Sequence, residues 1–185
     1  HTKNINFLIG GIDMSNRQAL LAIGETFEFI IMSLIRSKFP ESIILHDIHL
    51  YSYYLNAITQ IDIIVICRNG VFVIEAKNWK HWIKGDYGDF KWTGLTHNRK
   101  VIEVFNTYNQ NLIHIRELRN AIRRNGWEPV EFHNLIVIPD GTTIQSNCSE
   151  IVSLHQMCEI IKMTKTDCEV NKEEVATQIK AVASV

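Results

Sequence analysis

The sequence has little of what marks the special classes of protein. Of its 185 residues only 9 are glycine and 3 are proline, which excludes collagen-like and low-complexity chains. Since 46% of the residues are hydrophobic, a disordered chain is excluded as well. No apolar run reaches the roughly 18 residues that a membrane-spanning helix needs, so we expect no membrane partner. The length predicts a single domain over residues 1–185.

Neither sign of charge is in excess. With 19 basic and 20 acidic residues, the chain is not a globally basic nucleic-acid-binding protein, although a local basic surface remains open. The four cysteines form no CxxC pair, and scattered thiols of this kind indicate a reducing compartment, so we expect a cytoplasmic protein. His1 stands where a methionine is expected, so it is either a tag remnant or the start of a piece of a larger, multidomain protein.

Hydrophobic periodicity predicts the secondary structure. Apolar residues three and four apart predict a helix over 16–38, with Ser15 as its N-cap, and another over 106–125 that Gly126 ends. Runs of β-branched residues predict strands at 43–50, 61–67, 71–77 and 132–138. One or two short strands are expected within 79–94, and two modest helices at 149–163 and 171–182. This order of elements predicts an α/β fold in which a mixed sheet is covered by helices.

One predicted hairpin carries charged residues at its open end. Asn69-Gly70 is a strong signal for a two-residue turn, which would pair Asp62 with Lys77 and put Glu75 on the same face. The other side chains on both faces are apolar, so these three charges are expected to be half-buried. A simple cross-strand ion pair, with Glu75 in solvent, is the structural alternative.

A metal site explains these charges better than an ion pair does. Two neighbouring carboxylates repel each other, and a divalent cation between them removes the repulsion. Oxygen ligands completed by water suit Mg²⁺ or Mn²⁺ rather than zinc. Lys77 beside such a site would orient or deprotonate an attacking water, or stabilise negative charge on phosphorus. The pattern therefore favours metal-dependent hydrolysis at Asp62, Glu75 and Lys77.

The same residues resemble a known family. Asp62, followed after a hairpin by Glu75-Ala76-Lys77, resembles the PD-(D/E)XK nuclease superfamily, and the wider pattern is similar to its nuclease-related domain, NERD. The further matching segments are Gly24-Glu25, Gln60 to Val65, Gly70 to Asn78, Ile83-Lys84-Gly85, Trp92 and Asn106 to Asn111. The likeness covers about 24–118. It departs from the family at Ile63, where a histidine is frequent, and at Thr107, where proline is usual.

The resemblance implies a restriction-endonuclease-like α/β fold and a Mg²⁺-dependent nuclease acting on DNA. In this scheme Asp62, Glu75, the carbonyl of Ala76 and Glu25 bind the metal. Lys77 positions or activates the water, and Gln110 orients water or substrate. Glu28, one turn after Glu25, is a rival for the same place. Both Glu25 and Gln110 also have an ordinary interpretation as polar residues of a helix. Residues 126–185 would supply a last strand and helices of the same domain.

A nuclease also needs a surface for the phosphate backbone. The candidates for nucleic-acid binding are Lys80, Lys84, Lys91, Arg116, Arg119 and Arg123. Trp79 and Trp82 would stack on bases, lie in the core or form a dimer contact, whereas Trp92 is expected in the core. His114, one turn after Gln110, could face the site, but its favoured interpretation is a packed helix histidine. Two other functions stay open, an inactive DNA-binding module of the same fold and a structural or dimerisation domain. A homodimer is compatible with all three.

Overall fold

The computed structural model describes residues 14–95, 99–166 and 170–183, with side chains from residue 26 onward. The helices in these ranges are α1 (Met14–Lys38), α2 (Thr107–Arg124), α3 (Leu154–Met163) and α4 (Lys172–Val182). The strands are β1 (Ile43–Ser52), β2 (Ala57–Cys67), β3 (Gly70–Ala76), β4 (Trp82–Lys84), β5 (Lys91–Leu95), β6 (Val101–Phe105), β7 (Phe132–Ile138), β8 (Thr143–Gln145) and β9 (Ile151–Ser153).

A five-stranded mixed sheet with the order β1-β2-β3-β7-β9 forms the centre of the fold. Its first three strands are antiparallel, and β3, β7 and β9 are parallel. The apolar residues of β2 and β3 alternate between two cores. One core takes Phe27, Ile31 and Ile35 of α1 with Met157 and Ile161 of α3; the other takes Leu118 and Ile122 of α2 with Val175 and Ile179 of α4. The predicted α/β class, a mixed sheet flanked by helices, is confirmed.

A second sheet, with the order β6-β5-β4-β8, was not predicted in full. The expected short strands are β4 and β5, but β6 and β8 were missed because strands of three to five residues carry almost no periodicity. Trp79, Ile83 and Trp92 form a core with Ile136 and Ile138 of the central sheet. The expectation for Trp92 is therefore confirmed, and Trp79 lies in the core too.

The β2–β3 hairpin has a different turn from the predicted one. Cys67 pairs with Gly70, so Arg68 and Asn69 form the turn rather than Asn69 and Gly70. The reason is tertiary, since the Asn69 side-chain amide donates hydrogen bonds to the carbonyls of Ile161 and Thr164 at the end of α3.

This turn changes which residues face each other across the hairpin. Ile63 pairs with Ile74, and continuing the register places Asp62 opposite Glu75, so the predicted pairing of Asp62 with Lys77 is wrong. The difference amounts to two residues, which keeps every side chain of the paired segment on its predicted face. The predicted core faces around the charged residues therefore remain valid.

The ends of three helices test the predicted caps. α1 begins at Met14, so Ser15 lies inside its first turn and is not the N-cap. Gly126, with φ of 80°, follows α2, and the Trp127 amide donates to the carbonyl of Ile122, which confirms the predicted end. The predicted helix at 149–163 begins only at Leu154, because the segment before it pairs with β7 as β9.

Gly85→Ala should destabilise the protein strongly. A Cβ at this position would lie 2.0 Å from Cδ1 of Trp92, and the φ of 153° disfavours any side chain. We expect a loss of about 3 kcal/mol in the free energy of unfolding, measured by urea denaturation. Gly88→Ala is the matched control, because a Cβ there meets nothing within 4 Å. Equal losses in the two variants would contradict the packing described here.

Candidate active site

Two carboxylates meet where the β2–β3 ladder ends. Asp62 comes from β2, between the buried Ile61 and Ile63, and Glu75 comes from β3, between the buried Ile74 and the half-buried Ala76. An Asp62 carboxylate oxygen, Oδ2, accepts a hydrogen bond of 2.8 Å from the backbone amide of Ala76. Asp62 is half-buried, and Glu75 is only 2% exposed. Negative charge is therefore concentrated where little water can solvate it.

The two oxygens of Glu75 have different surroundings. Oε1 accepts a hydrogen bond of 2.6 Å from Nζ of Lys77 and another of 2.8 Å from Nε2 of Gln110. Oε2 is buried and has no hydrogen-bond partner among the described residues; Nδ1 of His114 lies 3.6 Å from it. One oxygen of this carboxylate is thus held by two donors, and the other is left for a further ligand.

Burial and mutual repulsion shape the charges of the site. Burial raises the pKa of Asp62 to about 7, and the Glu75 carboxylate adds to this effect. Burial lowers the pKa of Lys77, but Glu75 and Asp62 together raise it above its ordinary value, so this ammonium stays protonated at neutral pH. Burial and the Lys77 charge lower the pKa of His114 to about 4, so this imidazole is neutral. The site combines one fixed cation with two crowded carboxylates.

Helix α2 is anchored so that Gln110 and His114, one turn apart, face Glu75. The side chain of Asn106 caps the helix by accepting from the amide of Asn109. The side-chain amide of Asn111, fully buried, donates to the carbonyl of Val73 in β3 at 2.9 Å, and to the side-chain oxygen of Asn134 and the carbonyl of Leu135 in β7. Asn111 therefore locks α2 onto the central strands.

The α1 acids are only partly visible. Glu25 lies in α1, but its side chain falls outside the described residues. A hydrogen bond of 2.7 Å joins the carboxylate of Glu28, its rival, to Nε2 of His46 in β1. Burial raises the pKa of Glu28, the hydrogen bond with His46 lowers it, and the charge of Asp62 raises it further, so Glu28 senses one of the two acids. The Ala76 carbonyl stays a predicted ligand, since only the amide of this residue has a described role here.

The six basic candidates lie on two separate parts of the fold. Lys80, Lys84 and Lys91 are exposed on the second sheet and the segment before it, where Lys91 pairs with Glu103 at 3.1 Å. Arg116, Arg119 and Arg123 lie on α2, with Arg119 half-buried and the other two exposed. Trp79 and Trp92 are buried, so neither ring is available to stack on a base, and Trp82 is half-buried.

Sequence reasoning undervalued His114 and missed Asn111. His114 is packed in a helix as expected, yet the residue it faces is Glu75. Its position four residues after Gln110 was the available signal, because i and i+4 share a helix face. Asn111 had no such signal, since its acceptors come from β3 and β7, which are distant in sequence.

Comparison with known proteins identifies the family. A model of the nuclease-related domain matches residues 23–139, more than half of the chain. This chain belongs to the NERD family. The NERD match continues past the limit of 118 expected from the sequence and includes α2 to its end and β7. The predicted relationship to the PD-(D/E)XK superfamily is thereby confirmed.

One relative and two negative findings complete the comparison. The NERD chain is 35% identical over 103 residues to an uncharacterized protein of Bacillus anthracis, a region that makes up 55% of this chain and 47% of the relative. The chain thus spans about half the length of that relative. No solved structure matches it significantly. Across the described ranges, the helices are too short or too polar to cross a membrane.

Proposed function

We propose that this NERD chain is a Mg²⁺- or Mn²⁺-dependent nuclease that hydrolyses phosphodiester bonds of DNA. The observation that supports this most is the surroundings of Glu75. Lys77 and Gln110 hold one of its oxygens, while the other is buried and has no hydrogen-bond partner in the described part of the chain. The charge of Glu75 also acts on the second carboxylate, Asp62. A cation bound here would give this buried oxygen a partner.

The donor set suits a hard divalent cation. No group of three His, Cys, Asp or Glu side chains within the described ranges is arranged to hold a metal. Mg²⁺, however, takes one or two carboxylates and completes its shell with water and substrate phosphate oxygens. Asp62 and Glu75 provide these two carboxylates. Burial and, after it, repulsion from Glu75 raise the pKa of Asp62, and a bound cation would offset both effects. The carbonyl of Ala76 and Glu25 or Glu28 are further candidates.

The residues of the chain would divide the work. Asp62 and Glu75 hold the cation, which when bound supplies stabilisation of charge on a phosphoryl oxygen and a more acidic water. Lys77, protonated and directed by Glu75, donates a hydrogen bond that orients the water or stabilises charge on the phosphate. Its raised pKa favours this donor role over that of a general base. Gln110 fixes the Glu75 carboxylate.

Cleavage assays with the whole chain test this function. Plasmid DNA and a labelled single strand are incubated with Mg²⁺, Mn²⁺, Ca²⁺ or EDTA, and we expect cleavage with the first two and none with EDTA. Glu75→Gln should abolish cleavage, whereas the control Glu103→Gln, at an exposed acid of β6, should retain it. DNA binding without cleavage in any metal would instead support an inactive binding module. Cleavage that survives Glu75→Gln would refute this active site.

Gln110→Ala should lower kcat for cleavage about 10-fold to 100-fold, with little change in folding stability. The reason is that Gln110 positions a proposed metal ligand rather than reacting itself, and partners of this kind have effects of that size. Steady-state kinetics at saturating DNA and Mg²⁺ measure kcat, and titration of Mg²⁺ measures any loss of metal affinity. Gln145→Ala, at an exposed glutamine of β8, is the control. An unchanged rate in Gln110→Ala would remove Gln110 from the site.

A further inference from the structure

An exposed group of tyrosines lies at the tip of the β1–β2 hairpin. Tyr53 and Tyr54 are 66% and 67% exposed, and Tyr51 and Ile58 beside them are also exposed. Residues 51–61 carry no charged side chain. Large aromatic side chains that remain in solvent on an otherwise well-packed protein mark an interaction surface.

Two arginines of α2 pack on these rings. The guanidinium of Arg116 lies 4.4 Å from the ring centroid of Tyr54, and that of Arg124 lies 4.5 Å from the ring centroid of Tyr53. We call these four residues the tyrosine–arginine platform. The contacts hold the rings in place while leaving most of their surface in solvent.

Buried hydrogen bonds fix the platform to the fold. Ser52 is fully buried, and its hydroxyl donates a hydrogen bond of 3.2 Å to Oε1 of Glu117 on α2. The same hydroxyl accepts a hydrogen bond from the backbone amide of Leu55 in the hairpin turn. Glu117 is the only acidic residue between positions 112 and 127, and its carboxylate is buried towards Ser52 and Arg116. This half of α2 carries four arginines, at positions 116, 119, 123 and 124. Arg116 lies 3.5 Å from Glu117 and Arg119 is half-buried, while Arg123 and Arg124 are exposed, so the helix keeps an excess of positive charge.

We propose that the tyrosine–arginine platform binds single-stranded nucleic acid, with Tyr53 and Tyr54 stacking on unpaired bases and Arg116 and Arg124 contacting phosphates. Aromatic rings beside cationic side chains are the elements of sequence-tolerant single-strand binding. Bases in a duplex keep their faces stacked on each other, so the same rings favour a single strand or an unpaired end. The positive charge of α2 favours this occupant over a second copy of the chain, which carries the same charge.

The position of the platform suits the proposed nuclease, on which this inference rests. Ile58 at the hairpin precedes Asp62 by four residues of β2, or about 13 Å along the strand. Gln110 precedes Arg116 by six residues of α2, or about 9 Å along the helix. A strand held at the platform would therefore lie within a few nucleotides of the acid pair. The platform would thus select an unpaired region and present its neighbouring phosphates for cleavage.

Binding measured without cleavage tests the proposal. The whole chain carrying Asp62→Asn is titrated in EDTA into a fluorescein-labelled 20-nucleotide single strand and into the corresponding blunt duplex, with fluorescence anisotropy as the readout. We expect preference for the single strand, and at least a roughly tenfold loss of single-strand affinity when Tyr53→Ala and Tyr54→Ala are combined. The combination of Tyr53→Phe and Tyr54→Phe keeps the rings and should bind as the parent does. Circular dichroism of each variant confirms that it is folded.

Three results would overturn the proposal. The first is unchanged affinity in the double alanine variant, and the second is equal affinity for duplex and single strand. The third is a homodimer, measured by light scattering, that the alanine variant converts to monomer without any effect on nucleic-acid binding. The proposed nuclease activity fails separately: if metal-dependent cleavage is absent while the alanine substitutions still weaken single-strand binding, the platform stands and the catalytic proposal does not.

Discussion

Asp62→Asn is expected to abolish DNA cleavage and, in the absence of metal, to make the protein more stable at pH 8. The substitution removes one of the two proposed metal ligands, for which we expect a loss of at least about 10²-fold in cleavage rate. It also removes a negative charge that burial and Glu75 both disfavour. An asparagine side-chain oxygen still accepts the hydrogen bond from the Ala76 amide, so the local structure is preserved.

The pH dependence gives this prediction its sign. Folding raises the pKa of Asp62 from 3.8 to about 7, so between these values the folded protein binds more protons than the unfolded chain. The stability of the metal-free protein should therefore fall as the pH rises through this range. Asp62→Asn cannot titrate and should remove this part of the slope. At pH 8 we expect a gain of about 2 kcal/mol, or roughly 5 °C in Tm.

Thermal unfolding in EDTA from pH 4 to 8 measures this effect. Asp140→Asn is the matched control, because this exposed carboxylate also accepts a backbone hydrogen bond, from the amide of His155 at 3.2 Å. Its Tm should stay close to that of the parent at every pH. A lower Tm for Asp62→Asn at pH 8 would show that the Asp62 charge stabilises the fold, as in the ion-pair alternative.

Lys77→Met should also abolish cleavage, but with the opposite effect on stability. The ammonium of Lys77 is the charged partner of Glu75, at 2.6 Å, and Glu75 is almost fully buried. Removing the cation leaves a buried carboxylate held only by Gln110 among the described donors, which should cost about 3 kcal/mol. The cleavage rate should fall about 10²-fold to 10³-fold, as when a donor to a developing negative charge is lost.

Urea denaturation at pH 7 and cleavage kinetics measure the two effects of Lys77→Met. Lys91→Met is the control for stability, because its ion pair with Glu103 is exposed and should contribute less than about 1 kcal/mol. Asp62→Asn and Lys77→Met are both expected to be inactive, but the first should be more stable than the parent and the second less stable. Their stabilities therefore distinguish loss of a metal ligand from loss of the partner of Glu75. If Lys77→Met were as stable as the parent, the Lys77–Glu75 contact would not support the fold.

The sequence contained the identity of the main site residues but not their full geometry. Spacing along two strands is enough to place Asp62, Glu75 and Lys77 together, because strands alternate their faces regardless of the turn. Whether Asp62 lies opposite Glu75 or Lys77 depends on which two residues form the turn. The position of the turn depends on the contact of Asn69 with α3, nearly a hundred residues away. Local signals such as Asn69-Gly70 cannot report a contact of this kind.

The surroundings of the site were harder to predict for the same reason. His114 and Glu28 approach the carboxylates only because α2 and α1 pack on opposite faces of the central sheet. The tyrosines of the β1–β2 hairpin carry no periodic pattern, so their exposure follows from the position of the turn. The sequence instead suggested Trp79 and Trp82 as base-stacking residues, but Trp79, with Trp92, fills the space between the two sheets.

Asn106 couples the second sheet to α2. Besides capping α2, its side-chain amide donates to the carbonyls of Asp86, Tyr87 and Asp89, and its backbone amide donates to Phe90. The connection between β4 and β5 and the first turn of α2 therefore form one cooperative unit of local unfolding. When this unit opens, Gln110 leaves Glu75. Protection from hydrogen exchange at the amides of Asn109 and Asp89 should accordingly report, at equilibrium, the fraction of molecules in which Gln110 contacts Glu75.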